Sequence, residues 1–302
     1  MICAIDIGGT KIAGALLNST HQIITETTVP TPTAEGGPAI AVQVISLVNR
    51  LKTQSNQPVR RVGIATGGQI DAHGNIVGAT AMIPHWAGFP LKTTVAAETG
   101  LPTSVLNDGH AAALAESQLG AGRGQPSMLC IVIGTGLGGG LVIDGRIQHG
   151  QHGIAGSVGQ LKVTRDGTNY VVLEALVSGP GLIQAYNERV QPHAQVAQGQ
   201  EIAIRAKQGD PVAQQTISEL GKWLGLGLSH ALHSYDAACV VVGGSVAQLG
   251  APLFESACQS LQVHGHSTVA LTPLLPAALG PKAGLFGAAL FAQQQEKDGN
   301  DG

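Results

Sequence analysis

The chain has 302 residues, enough for two modest domains or one large one, and its 43% apolar and 12% charged composition supplies a core and excludes disorder. A net charge of −3 with no basic run excludes a nucleic-acid binder held by phosphate contacts, and no charge-free apolar span is long enough to cross a bilayer. The 43 glycines set against 3% aromatics point to backbone lying tight against a ligand, to helices packed through small residues, or to both.

The first predicted element is a strand over Ile2–Ile5, followed by Asp6-Ile7-Gly8-Gly9-Thr10-Lys11 and a second apolar run, Ile12–Leu17: a β-hairpin with a glycine turn. Asp6 interrupts the first apolar run at once, so no leader peptide is expected there. Helical spacing covers Pro38–Leu51, a short strand Arg61–Ala65 ends at Thr66-Gly67-Gly68, and Thr103–Leu106 is a strand ending at Asn107-Asp108 before a helix over His110–Ala121. Gly120–Gly124 reads as a hinge, which sets a domain boundary near residues 116–124. A second glycine hairpin comes next, with strand Leu129–Ile133, turn Gly134–Gly140 and strand Leu141–Ile143, and two such hairpins in one chain look like an internal duplication. Helices are then predicted over Gly179–Val190 and Val212–Leu232, a buried strand over Ala238–Val242 stopping at Gly243-Gly244-Ser245, and a closing helix over Gly284–Gln295. Alternating strands and helices give an α/β fold, with residues 1–118 and a returning helix 285–297 forming an N-terminal domain and 119–284 a C-terminal one. Cys3, Cys130, Cys239 and Cys258 have no metal-pair spacing and read as reduced thiols in a cytoplasmic protein.

Gly8 and Gly9 let the backbone turn N–H groups toward a ligand's oxygen atoms, Thr10 adds a hydroxyl and Lys11 a cation. Asp6 would repel bare phosphate but suits Mg²⁺, which takes carboxylate oxygens. The turn with Gly134, Thr135 and Gly136 carries no charge and can offer only N–H groups and a hydroxyl, as a phosphate cradle without a lysine does. Gly243 and Gly244, at a strand end, fit either a ligand crevice or tight packing. Asp108 can accept a proton from a substrate hydroxyl or cap the helix behind it, and spacing does not separate the two. Trp86 reads as a sugar-stacking rim or as a buried anchor for its loop, and His85 beside it shares the first of these readings.

Taken together, Asp6–Lys11, Gly68, Asn107-Asp108, Gly134–Gly140 and Val240–Val246, in this order, make the chain resemble the ROK family of sugar kinases nearly end to end. The resemblance implies two ribonuclease-H-like (actin/hexokinase-type) domains flanking a cleft, an ATP- and Mg²⁺-dependent kinase of a sugar 6-hydroxyl, and a homodimer without nucleic-acid or membrane partners. It implies Asp108 as catalytic base, Asn107 and Gly68 at the sugar, Glu174 as a sugar contact, Asp6 near Mg²⁺, and Thr10, Lys11, Thr135 and Gly136 along the phosphates. Family members commonly carry a Glu and a His where this chain has Ser157 and Gln160 at the sugar, and a cysteine-rich zinc segment where Val163–Leu173 has no cysteine. A thiolate site works only when complete, so no zinc is expected. Among subgroups, Gln208–Gln215, Val240–Gly250 and Gly284–Gln293 look most like bacterial N-acetylmannosamine kinases, with glucokinase, N-acetylglucosamine kinase or a non-catalytic sugar binder as alternatives. Family regulators carry a DNA-binding segment ahead of the kinase-like body, and with the first hairpin beginning at Ile2 a regulator of that kind is not expected.

Overall fold

The computed structural model describes residues 1–71, 73–78, 83–164 and 167–299. In chain order its elements are β1 (Ile2–Ile7), β2 (Lys11–Leu17), β3 (Ile23–Pro30), α1 (Gly36–Gln54), β4 (Arg61–Thr66), β5 (Gln69–Ile70), β6 (Ile76–Gly78), α2 (Leu91–Thr99), β7 (Thr103–Asn107) and α3 (Asp108–Leu119). They continue as β8 (Ser127–Ile133), β9 (Leu137–Ile143), β10 (Arg146–Gln148), β11 (Lys162–Thr164), β12 (Tyr170–Val172), α4 (Leu173–Leu176), α5 (Gly179–Asn187), α6 (Gly199–Lys207), α7 (Pro211–Tyr235), β13 (Cys239–Gly243), α8 (Ala251–His264), β14 (Leu274–Pro276) and α9 (Ala283–Lys297).

The chain divides into two compact units: Met1–Ala115 with Arg146–Ala155 and Pro281–Gly302, and Glu116–Gly145 with Gly156–Gly280. The boundary at Ala115/Glu116 lies at the edge of the predicted 116–124 region, and the excursion of residues 146–155 into the first unit has no counterpart in the sequence pattern. Among the described residues, no helix is long and apolar enough to cross a membrane.

In the first unit the sheet order is β3-β2-β1-β4-β7. The strands β1, β2 and β3 form an antiparallel meander, while β4 and β7 run parallel to β1. Every residue of β4 is buried, as a parallel strand covered on both faces requires. The buried face of α1 (Ile40, Val44, Leu47, Val48, Leu51) packs with Ile5, Ile12, Ile64 and Trp86 into one core. Across the other side lies α9, packed on β4, β1 and β7. Its seat is made of small residues: a side chain at Gly63 would collide with the backbone of Ala288, and one at Gly287 with the backbone of Ala111.

In the second unit the order is β10-β9-β8-β13-β14, with β8 and β9 antiparallel and β13 and β14 parallel to β8. In both sheets the order along the chain is third, second, first, fourth, fifth, the duplication that the two glycine hairpins announced. One expectation needs correction: the second turn is confined to Gly134–Gly136, because β9 resumes at Leu137 and Gly138, Gly139 and Gly140 pair with Val132, Ile131 and Cys130. Those glycines belong to a strand where other backbone comes close, since a side chain at Gly139 would strike the Cys130 carbonyl. The long helix α7 is started by Asp210, which accepts from the N–H groups of Val212 and Ala213, and is seated on α8 through Gly221 and Gly225. Buried Glu116 accepts from the N–H groups of Ala121, Ala278 and Leu279, at 2.9, 3.1 and 2.8 Å, and so pins the start of the second unit to the segment just before the chain leaves it.

Candidate active site

In the first unit the relevant residues gather at the carboxyl ends of three parallel strands. Ile7 of β1 is level with Thr66 of β4, and Thr66 with Asn107 of β7. The turns that leave these ends, 8–10, 67–68 and 107–109, are therefore neighbours, the position at which open α/β sheets bind ligands. The turn 8–10 is tied down through its carbonyls: Gly8 N–H bonds the Lys11 carbonyl at 3.0 Å, Thr31 Oγ1 donates to the Gly8 carbonyl and Thr33 Oγ1 to the Gly9 carbonyl, each at 2.7 Å. Gly8, Gly9, Thr10 and Lys11 themselves are exposed. Thr31 and Thr33 are not among the residues that sequence reasoning singles out; the only signal is a threonine-rich stretch at the end of a strand that periodicity does not mark.

The junction of β7 and α3 shows which residue of the Asn107-Asp108 pair caps the helix. Asn107 is the cap: its Oδ1 accepts from the N–H groups of Gly109 and His110, at 2.9 and 3.2 Å, while its amide donates to the Gly68 carbonyl at 2.8 Å. Asp108 is thus the first residue of α3 and not its cap, because a helix beginning at Asp108 needs its cap one residue earlier. Gly68 adopts φ +111°, a value that side chains resist, and so presents its carbonyl to Asn107. Trp86 is 1% exposed, donates its Nε1–H to the Gly67 carbonyl at 3.2 Å and stacks on Phe89, which is the anchor reading, whereas His85 is exposed.

Asp108 is solvent-exposed, yet the mass of protein around it desolvates the carboxylate and raises its pKa, while the N–H of Gly109, 2.8 Å from its Oδ1, acts the other way. Asp6 is pushed up to about 6, first by desolvation and then by the charge of Asp108, with Lys11 opposing. The charge of Asp108 therefore reaches Asp6 and is only partly offset by the Lys11 ammonium.

In the second unit the same sheet ends carry the other predicted residues. Gly243 is level with Val132, so the turn 134–136 and Gly244 both come directly after parallel strands. Gly244 adopts φ +89° against the backbone of Ile133, and a side chain there would collide; tight packing accounts for this glycine. Thr135 is exposed. Gly134 N–H bonds the Gly136 carbonyl at 2.9 Å, and Gly179 N–H bonds the Gly134 carbonyl at 2.7 Å. Glu174 accepts the Leu137 N–H at 2.8 Å, so it lies against this turn. Ser157 is half-buried at the start of a short 3₁₀ turn, Val158–Gln160, and Gln160 is exposed. Within the predicted zinc-free stretch 163–173, residues 165 and 166 lie outside the described residues. The remainder forms the antiparallel pair β11–β12, and among the described residues no cluster of three or more His, Cys, Asp or Glu could hold a metal.

Two α/β units of ribonuclease-H-like strand order, each with a glycine turn at the ends of its parallel strands, define the actin/hexokinase class of fold. The chain belongs to the ROK family, whose model matches residues 2–295. It is 35% identical over 304 residues to the N-acetylmannosamine kinase of Shigella flexneri, with 98% of this chain and 99% of that one covered. It is 31% identical over 313 residues to the glucokinase of Streptomyces coelicolor, with 97% of each covered. Among solved structures, a ROK family glucokinase from Streptomyces griseus in complex with glucose and AMPPNP matches with a TM-score of 0.81 at 32% identity, over 97% of this chain and 99% of that one. The protein is a sugar kinase, a phosphotransferase with an alcohol acceptor.

Proposed function

We propose that this kinase transfers the γ-phosphoryl group of ATP to the 6-hydroxyl of N-acetylmannosamine, with Asp108 as general base. The observation that carries the reading is the β7–α3 junction. Asn107 takes over the capping and holds Gly68, Asp108 is exposed, and desolvation by the surrounding protein raises the pKa of its carboxylate. A carboxylate of raised pKa is a better proton acceptor for an alcohol than an ordinary one. Phosphoryl transfer otherwise requires mainly positioning and charge stabilisation. In the first unit Asn107 and Gly68 would line the sugar. In the first unit the exposed backbone of Gly8, Gly9 and Thr10 and the Lys11 ammonium would receive phosphate oxygens; in the second, taken by itself, the Gly134–Gly136 turn would do so. Mg²⁺ suits the first unit, where the Asp108 charge acts on Asp6 and the Lys11 ammonium offsets it only in part. Asp6 would hold it, and when bound it supplies charge neutralisation on the phosphates.

The choice of acceptor is supported by the higher identity to an N-acetylmannosamine kinase than to a glucokinase, and the ATP donor by the AMPPNP-bound relative. A coupled ADP-release assay across hexoses and N-acetylhexosamines tests it. N-acetylmannosamine should show the highest kcat/KM; faster turnover of glucose would reassign the chain as a glucokinase. In the same assay, Asp108→Asn should lower kcat by about 10²–10⁴-fold with sugar binding largely kept. A near-wild-type rate would remove Asp108 from the role.

A further inference from the structure

The Gly134–Gly136 turn has no side chain able to fix its own shape apart from the Thr135 hydroxyl. Beyond its own bond from the Gly134 N–H to the Gly136 carbonyl, at 2.9 Å, its conformation depends on what grips it from outside. One grip is the Gly179 N–H on the Gly134 carbonyl; the other is Glu174, whose Oε2 receives the Leu137 N–H at 2.8 Å. That oxygen lies so close to Gly136 that a Cβ there would sit 2.8 Å from it. Glu174 is itself well supported. The neighbouring Leu173 is fully buried in the core of the second unit, packs where Gly227 of α7 leaves room, and bonds the Leu161 carbonyl through its N–H at 2.7 Å. A short helix anchored in the core thus aims one carboxylate at the point where the turn becomes β9. A charge-assisted bond of this kind is roughly twice as strong as a neutral one.

We propose that Glu174 is a positioning residue for the nucleotide: by holding the Leu137 N–H it keeps the Gly134–Gly136 turn in the form that accepts phosphate oxygens. This rests on the proposed role of the turn in receiving phosphate. It assigns Glu174 a task distinct from the sugar contact that the family resemblance implies.

Reach and charge can be separated. Glu174→Gln keeps a carbonyl oxygen at the same reach and loses the charge; Glu174→Asp keeps the charge and falls one methylene short of Leu137. Calorimetric titration with AMPPNP and Mg²⁺, without sugar, reads the turn directly, and the KM values for ATP and sugar read the division of roles. Glu174→Asp should weaken AMPPNP binding about 10-fold or more, the equivalent of one charge-assisted hydrogen bond, and raise the KM for ATP in parallel. Glu174→Gln should stay within about threefold of wild type for the nucleotide, since an amide oxygen still accepts. Hydrogen exchange at Leu137 should speed up in the Asp variant and not in the Gln variant. Wild-type nucleotide affinity in Glu174→Asp, with only the sugar KM raised, would overturn the inference and leave the kinase reading intact. Absence of AMPPNP binding by the wild-type protein would remove the phosphate reading itself, and the inference with it.

Discussion

Asp6 and Asp108 stand at the ends of β1 and β7, two strands apart in one sheet, and Asp6 bears first the cost of desolvation and then that of the Asp108 charge. Its pKa of about 6 exceeds the usual carboxylate value of 3.8. Between those values the folded chain keeps a proton that the unfolded chain has lost, so stability falls as pH rises across this window and stays reduced above it. In magnesium-free buffer, Asp6→Asn should therefore stabilise the protein by about 1–3 kcal/mol at pH 8 and by little at pH 4, while lowering kinase activity. Denaturant melts at the two pH values check the first part; an equal effect at both would mean that Asp6 is not the group that titrates. Glu116 illustrates the opposite case, a buried carboxylate compensated by three backbone N–H donors.

Elements reveal why the sequence is rich in glycine and poor in aromatics. The closing helix α9 meets β4 and α3 through Gly63, Gly287 and small neighbours, and α7 meets α8 through Gly221 and Gly225, so backbones approach where large side chains would hold them apart. Gly287→Ala measures this. Helix propensity alone favours alanine by about 1 kcal/mol, but the added methyl meets the fixed backbone of Ala111, and overpacking of that kind costs typically about 1–3 kcal/mol or more. The expected net result is a destabilisation of about 1–2 kcal/mol in chemical denaturation. A stabilised variant would show that α9 shifts freely. The hairpins and the strongly periodic helices are legible in the sequence close to their true ends. Other elements are not: β3 alternates exposed and half-buried residues in a threonine-rich stretch, and the helices α2, α6 and α8 are likewise absent from the sequence-based expectation.

For the molecule as a whole, the repeated strand order shows that one supersecondary plan is used twice. The plan places a glycine turn at the same sheet end each time, and the copies differ in the groups they carry there: charge at Asp6, Lys11 and Asp108 in the first, bare backbone in the second. The second unit also closes its 162–172 region with the β11–β12 ladder, and the Leu173 N–H bonds the Leu161 carbonyl at its base. A loop closed by its own hydrogen bonds does not need a metal to hold it. Elemental analysis of the purified protein is expected to find well below one zinc per chain, and EDTA should leave the melting temperature unchanged; a stoichiometric zinc or a large drop on chelation would contradict this.

Residues near one another in the chain carried most of the chemistry in the sequence itself. The turn glycines, the acid at the β7–α3 junction and the uncharged second turn come from local pattern, because a strand's period and a turn's backbone demands are settled by nearest neighbours. Tertiary structure alone decided which groups brace those turns: Thr31 and Thr33 on the first, Glu174 and Gly179 on the second, Asn107 rather than Asp108 as the cap, and residues 146–155 packed with the first unit. Several of these are hydrogen bonds between groups tens of residues apart. Their partners are chosen by where the core places each element, and hydrophobic periodicity does not encode that choice.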